Sequence, residues 1–427
     1  MIASAQPAWK NQLDRRHRLG TGLLLALTLL ASASSQLHAQ EPGITPTALR
    51  VGGIMDLQGA SSARGQAMKA GVEAALKNEK IQGRSIEFIV LNDSFQPPFA
   101  LEAAKKLIDQ GVFVMLGNTG TPTTKAVMPL LAQHQIPAVG FPLGAAHLRP
   151  GVGDVINFRA SFAQETSRVI ETALAAGVKP EQICAYLPSD AGGMENLATV
   201  KAALEKQPNI EGIIKKFDQI IALPENQSDP NGIGPVGFYK RSELTQARAG
   251  YQSLKEWEKT AGTQCRLVLT VGGINASTAN FVQYSRYRGE KWLVSITSQI
   301  EIPSFIKEMA VHNIKDGVIM TQVVPPLDSS LPIVEEARKA LGGDIGNISL
   351  EGYIAGKLFL AILRNVKGEL TRENFLKAVR GRAFDLGGLP LDFSNDNQGS
   401  DLVQLQALED GAFKTKTAEQ IHKLLQK

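Results

Sequence analysis

Cysteine is nearly absent: the 427 residues contain two, Cys184 and Cys265. That excludes a disulfide-built scaffold and any metal site made of several thiolates. A charge excess of one sign is also missing, with 45 Lys and Arg against 41 Asp and Glu. The small surplus sits in the first 39 residues, where Lys10, Arg15, Arg16 and Arg18 face only Asp14. The rest is nearly neutral and lacks the basic surface that a nucleic-acid partner requires. Long apolar runs are missing too. The run Leu19 to Ala31 is thirteen residues, whereas a spanning helix needs about 20. At 43% apolar and 20% charged residues, the chain is neither disordered nor a multispan membrane protein. At roughly 150 residues per domain, the length suggests two or three domains.

The basic stretch, the short apolar run and the small-residue tail ending Leu37-His38-Ala39 together read as a secretory leader. Residues 1–39 are therefore expected to be removed near Ala39, leaving an exported protein. An oxidising compartment permits a disulfide. Cys184 and Cys265 each open a strand-like stretch, and neighbouring strands would bring them close. The sequence leaves two outcomes open: a disulfide or two buried thiols.

Beyond the leader, strand and helix signals alternate. Leu49–Met55, Ile86–Leu91, Val112–Leu116 and Ile136–Gly140 read as short buried strands, with amphipathic helices between them. That pattern indicates parallel strands covered on both faces, an α/β class. The pattern restarts after Val155–Arg159, with strands at Cys184, Pro235, Leu267, Leu293 and Gly317. Two doubly wound units of similar size result. Residues 208–232 read as an insertion in the second, and residues 389–408 as a β-hairpin turning at Asp396–Gly399.

Enzyme signatures are missing. There is no phosphate-binding P-loop and no nucleophile elbow, and the histidines after the leader (His134, His147, His312 and His422) form no local metal-ligand pair. His134 is expected to pack on the apolar face of its helix. Gly232–Gly237 fits the spacing of a dinucleotide loop, but it follows a polar loop and runs into a strand, the reverse of what that loop requires. No cofactor and no metal are expected.

The informative segments follow strand ends. Leu116–Thr124 joins a strand to a helix, with Thr121 expected as the N-cap and Pro122 at the first helical position. Its free N–H groups and hydroxyls suit a carboxylate. Asn118, Thr119, Gly120 and Thr121 are therefore candidate ligand contacts. A second loop, Gly140–Ala146, adds Leu143, Gly144 and Ala145. A third, Met55–Ser62, adds Gln58, with Arg64 beyond it as a counter-charge.

These segments, in order and spacing, resemble the solute-binding proteins of branched-chain amino-acid-type ABC transporters. The motifs carrying the resemblance are Leu49–Met55 with Gly59, Leu91-Asn92-Asp93, Leu116-Gly117 with Gly120–Thr123, Ile136-Pro137, Phe158-Arg159-Ala160, Val271-Gly272-Gly273 and Ser349–Tyr353. The resemblance implies a type I periplasmic binding fold, two Rossmann-like lobes joined by three hinge crossovers. Lobe 1 would be residues 48–161 plus 325–395, and lobe 2 residues 162–324 plus 396–427. It implies a periplasmic, monomeric binder rather than an enzyme, which closes on a small molecule and hands it to an inner-membrane permease. Asn275 and Tyr353 join the candidate contacts on this basis. The family's far-lobe acid, which pairs with an α-ammonium, would fall in Ser295–Gln299, where no acid stands; Glu301 lies just outside. A small organic acid therefore competes with an amino acid as ligand. The competing functions are a periplasmic sensor subunit and an exported α/β enzyme.

Overall fold

The computed structural model describes residues 41–149, 154–223 and 229–426. The leader and its cleavage site lie outside them. Two largely parallel sheets organise the described residues, each with its own apolar core.

The first sheet is built from β1 (Ala48–Met55), α1 (Ser62–Leu76), β2 (Lys80–Ile81), β3 (Arg84–Asn92), α2 (Pro97–Asp109), β4 (Val114–Leu116), α3 (Thr121–Gln133), β5 (Ala138–Val139) and β6 (Val155–Ile156). Leu49, Val51 and Met55 of β1 are all fully buried, because helices cover both faces of a parallel sheet. The strand order is β2-β3-β1-β4-β5-β6. β1 pairs in parallel with β3 on one side and β4 on the other, so the winding reverses between β1 and β4. Ligands in open α/β sheets bind at the carboxyl ends of strands beside such a reversal.

After a crossing at 157–161 the second sheet begins with α4 (Phe162–Ala175). Ser161 and Gln164 form a reciprocal capping box at its start. There follow β7 (Ile183–Pro188), α5 (Ala191–Leu204), α6 (Glu211–Ile221), β8 (Val236–Tyr239), α7 (Arg248–Ala261), β9 (Leu267–Thr270), α8 (Asn275–Tyr287), β10 (Leu293–Ile296), α9 (Ile302–Val311) and β11 (Val318–Gln322). Here the winding reverses between β7 and β9, which are parallel neighbours. Cys184 of β7 and Cys265, just before β9, are joined in a disulfide with their Cα atoms 5.8 Å apart.

The chain then returns. α10 (Pro332–Leu341), α11 (Asn347–Asn365), α12 (Arg372–Val379), β12 (Ala383–Asp385) and β13 (Pro390–Asp392) belong to the first side, and their apolar residues join its core. α11 is buried almost all round and lies against α1 by close backbone approach. A Cβ at Gly71 would come within 2.0 Å of the Ser349 carbonyl. A last crossing leads to β14 (Gln404–Glu409), β15 (Ala412–Lys416) and α13 (Ala418–Leu425). β14 pairs antiparallel with β11 and closes the order β15-β14-β11-β10-β9-β7-β8.

The hairpin expected over 389–408 is not formed. β13 pairs with β12, and β14 pairs with β11 and β15. Asp396–Gly399 does turn, with Gln398 N–H donating to Asp396, but it crosses between sheets, and Gln398 bridges to Asn157. Turn chemistry is local, whereas strand partners are set by distant packing. In the expected insertion, α6 buries Phe217 and Ile220 against the second core. Residues 224–228 lie outside the described residues.

Candidate functional site

The carboxyl ends of the strands of both sheets face one another, and their loops touch. The first-sheet side is built around Asp56, at the end of β1. Its carboxylate accepts hydrogen bonds from the backbone N–H groups of Gln58, Gly59 and Ser61, folding the loop into the start of α1. This requires glycine at 65, where a Cβ would lie 1.9 Å from the Asp56 carbonyl. Asn118 Oδ1 accepts from Ile54 N–H at 3.0 Å, and Thr119 Oγ1 accepts from Asp56 N–H at 3.2 Å. Both side chains therefore tie the β4 loop to β1, and both are buried.

The helix after this loop starts one residue earlier than its sequence suggests. Gly120, not Thr121, is the cap residue, at φ +88°, and Thr121 is the first helical residue. The left-handed backbone favours glycine here. The Thr123 and Thr124 hydroxyls both donate to the Gly120 carbonyl. Thr121 is half-buried at the helix start.

The loop 141–145 is buried throughout. Its carbonyls are taken by Arg149 (at Leu143), Phe162 N–H (at Gly144) and the Gln299 amide (at Pro142). A Cβ at Gly144 would meet Phe162 N at 2.4 Å, so glycine admits α4 there. Ala146 N–H donates to Glu195 of α5 at 3.1 Å. Between this loop, the starts of α4 and α5 and the last crossing lies a cavity of about 370 Å³, lined in part by Arg149, Gln164, Glu195 and Asp401.

Arg64 is buried, and Nη1 donates to Gln299 Oε1 at 3.1 Å. Burial, followed by the nearby Arg241 charge, lowers its pKa to about 10. The Arg64 guanidinium carbon lies 5.7 Å from the centre of the Phe95 ring, and that of Arg241 lies 5.4 Å from it. Arg241 follows β8 and pairs with Asp190, which also caps α5. Phe95 follows β3 in a left-handed turn, with φ +47° at Ser94 and +61° at Phe95. Such backbone in non-glycine residues costs energy and gathers at functional sites. Asp93 anchors the turn by accepting from Phe95 N–H, and burial raises its carboxyl to about 6.

Behind these loops sits a buried ion cluster. Arg159, on the first crossing, reaches Glu165 of α4 at 2.5 Å and Glu351 of α11 at 3.2 Å. It also donates to Ser298, in the loop after β10. Glu165 in turn accepts from Thr321 of β11. Burial raises the Glu351 carboxyl to about 7, with Arg159 and its hydrogen bond pulling the other way. The cluster thus joins residues of both cores.

The structure brings Arg64 and Gly120 together around Phe95, and a Cβ at Gly120 would lie 3.1 Å from that ring. Other candidates sit elsewhere. Gln58 is exposed, and its side-chain oxygen accepts from the Asn92 amide at 3.4 Å. Asn275 is committed to the start of α9, donating to the Glu301 carbonyl and the Ser304 hydroxyl. Tyr353 packs in the first core with its hydroxyl 3.5 Å from Glu336. Glu301 caps α9, accepting from Ser304 N–H at 2.8 Å. His134, expected to be packed, is exposed at the end of α3. Phe95, Arg241 and Gln299 were not singled out from the sequence. All three stand just after parallel strands, the one position-based signal that reaches them.

Residues 48–214 match the family model described as periplasmic binding protein. No curated protein sequence gives a significant match. Among solved structures, one described as a possible leucine/isoleucine/valine-binding protein from Rhodopirellula baltica is 26% identical. It covers 87% of this chain and 97% of its own, with a TM-score of 0.76. A branched-chain amino-acid ABC transporter protein from Thermus thermophilus with bound valine is 16% identical, over 87% of this chain and 95% of its own (TM-score 0.67). A solute-binding protein from R. palustris in complex with 4-hydroxybenzoate is 18% identical, over 86% and 95% (TM-score 0.66). The resemblance read from the strand-end motifs is thus shared by the family model over residues 48–214 and by these structures, and the chain has the type I two-lobed fold.

Proposed function

We propose that this protein is the extracytoplasmic solute-binding subunit of an ABC uptake transporter. It captures a small amino-acid-like or organic-acid ligand between lobes 48–161 plus 325–395 and 162–324 plus 396–427, and delivers it to an inner-membrane permease. The observation that carries this reading is the facing of strand-end loops from two separate sheets. Gln299 of the second lobe bonds to Arg64 and to the Pro142 carbonyl of the first, so one side chain ties the two walls of the cleft together. Such loops on hinged lobes are suited to enclosing a small molecule. The protein is read as a periplasmic monomer without cofactor, its leader cleaved near Ala39, and as a binder rather than an enzyme. With no acid in Ser295–Gln299 and Glu301 used as a cap, organic acids rank beside amino acids as ligands.

Native mass spectrometry of the mature protein isolated from its own periplasm tests this reading. One unmodified small organic molecule per chain is the expected result. A protein that carries none, and binds none on dialysis against periplasmic extract, contradicts it.

A further inference from the structure

Two guanidiniums, one carried by each sheet's loops, converge on a single phenylalanine ring. Arg64 rises from α1, and Arg241 comes from the loop after β8. Both lie within 6 Å of the Phe95 ring centre. Like charges brought together in a buried place are costly unless an anion joins them. Arg241 has Asp190. Arg64 has only the neutral Gln299 amide, and among the described residues no carboxylate lies within ion-pair distance of it. Asp56, Glu351 and Asp93 are close enough to favour its charge, but Asp56 is already held by three backbone N–H groups, Glu351 is bonded to Arg159 and Asp93 accepts from Phe95 N–H. Arg64 Nε and Arg241 Nη1 are both buried without a hydrogen-bond partner. In native proteins such atoms are uncommon and call for a missing partner.

We propose that Arg64 and Arg241 together hold the carboxylate of the ligand beside the Phe95 ring, and that Arg241 is a ligand-binding residue of the second lobe. The inference rests on the solute-binding reading above and names the residues that hold the carboxylate which its candidate ligands share. A planar carboxylate accepts from guanidinium forks on two sides. Each lobe supplies one fork, so the anion is fully held only when the lobes are together. The Phe95 ring gives the ligand's apolar body a face to pack on.

Matched acid and amide pairs test this: benzoate against benzamide, isovalerate against isovaleramide, and L-leucine against L-leucinamide. They are measured by calorimetry on the whole mature protein, unfolded and refolded to strip any carried molecule. At least one acid is expected to bind, with its amide weaker by roughly ten- to hundredfold, the worth of a charge-assisted bond. Arg64→Gln and Arg241→Gln should each reduce acid binding by a similar factor and narrow the acid-to-amide gap. Arg248→Gln, an exposed residue nearby in sequence, should leave it unchanged, and circular dichroism should show all three variants folded. An amide binding as well as its acid, wild-type affinity in either arginine variant, or no binding by any acid overturns the inference. The solute-binding reading fails separately, when the protein from its own periplasm carries and binds no small molecule at all.

Discussion

The two places where the winding reverses are tied together by opposite means. Between β1 and β4 the ties are polar and sit at the carboxyl ends: Asn118 on Ile54 N–H and Thr119 on Asp56 N–H. Between β7 and β9 the tie is covalent and sits at the amino ends, where Cys184 meets Cys265. Behind the second pair, Tyr186 stacks between Tyr239 and Phe281, and Phe281 on Trp292. Both described tryptophans, Trp257 and Trp292, belong to that core. Glycines that let backbones touch serve both lobes, Gly65 and Gly71 in the first and Gly193 and Gly237 in the second. The difference teaches where each lobe keeps its freedom. Polar ties at the cleft shape loops that meet a ligand, while a bond at the far edge leaves the second cleft edge to side chains such as Arg241.

The comparison breaks hardest at the disulfide. Replacing Cys184 and Cys265 together by Ala opens a closed loop of 81 residues and should lower stability by about 4 kcal/mol. Urea unfolding measures the loss, and hydrogen exchange should place it in β7 to β11 while β1 to β6 keep their protection. Equal loss of protection in both sheets would show that the lobes unfold as one unit. Asp56→Ala is the matching change on the first side. It leaves three backbone donors without their carboxylate and should cost about 2–3 kcal/mol, with exchange rising first at Gln58, Gly59 and Ser61. An unchanged midpoint would mean that water replaces those bonds freely.

The smallest effect concerns the joint between the lobes. Glu351 has its carboxyl raised from the ordinary 4.5 to about 7, by burial more than anything else. The folded protein therefore holds a proton there that the unfolded chain releases. That contribution is complete at low pH and is lost as pH rises through this window. Glu351→Gln stays neutral, so the wild type should lose stability relative to the variant between about pH 5 and pH 7. Parallel pH profiles for the two proteins would show that Arg159 keeps Glu351 ionised throughout.

Much of the architecture was legible because it rests on local patterns. The short apolar strands and amphipathic helices of 48–139 stand where periodicity put them. The site was only partly legible. Asn118 and Thr119 were recognisable as polar residues after a strand, but not as ties spent on β1, since their partners lie more than 60 residues away. Phe95 and Arg241 sit in ordinary-looking loops, and only folding brings them together. The residues 389–408 misled for the same reason: a turn can be read from four residues, but its strands answer to two different sheets.

The sequence by itself determined the alternation of elements, the near-neutral charge and the absence of metal or nucleophile motifs, because these depend on composition and on neighbours along the chain. The tertiary structure alone decided that Cys184 meets Cys265, that Arg159 binds acids from both cores, and that Arg64 and Arg241 share one ring. Each of those is a contact between residues far apart in the chain. Long-range contacts are chosen by the packing of whole elements, which no short stretch of sequence encodes.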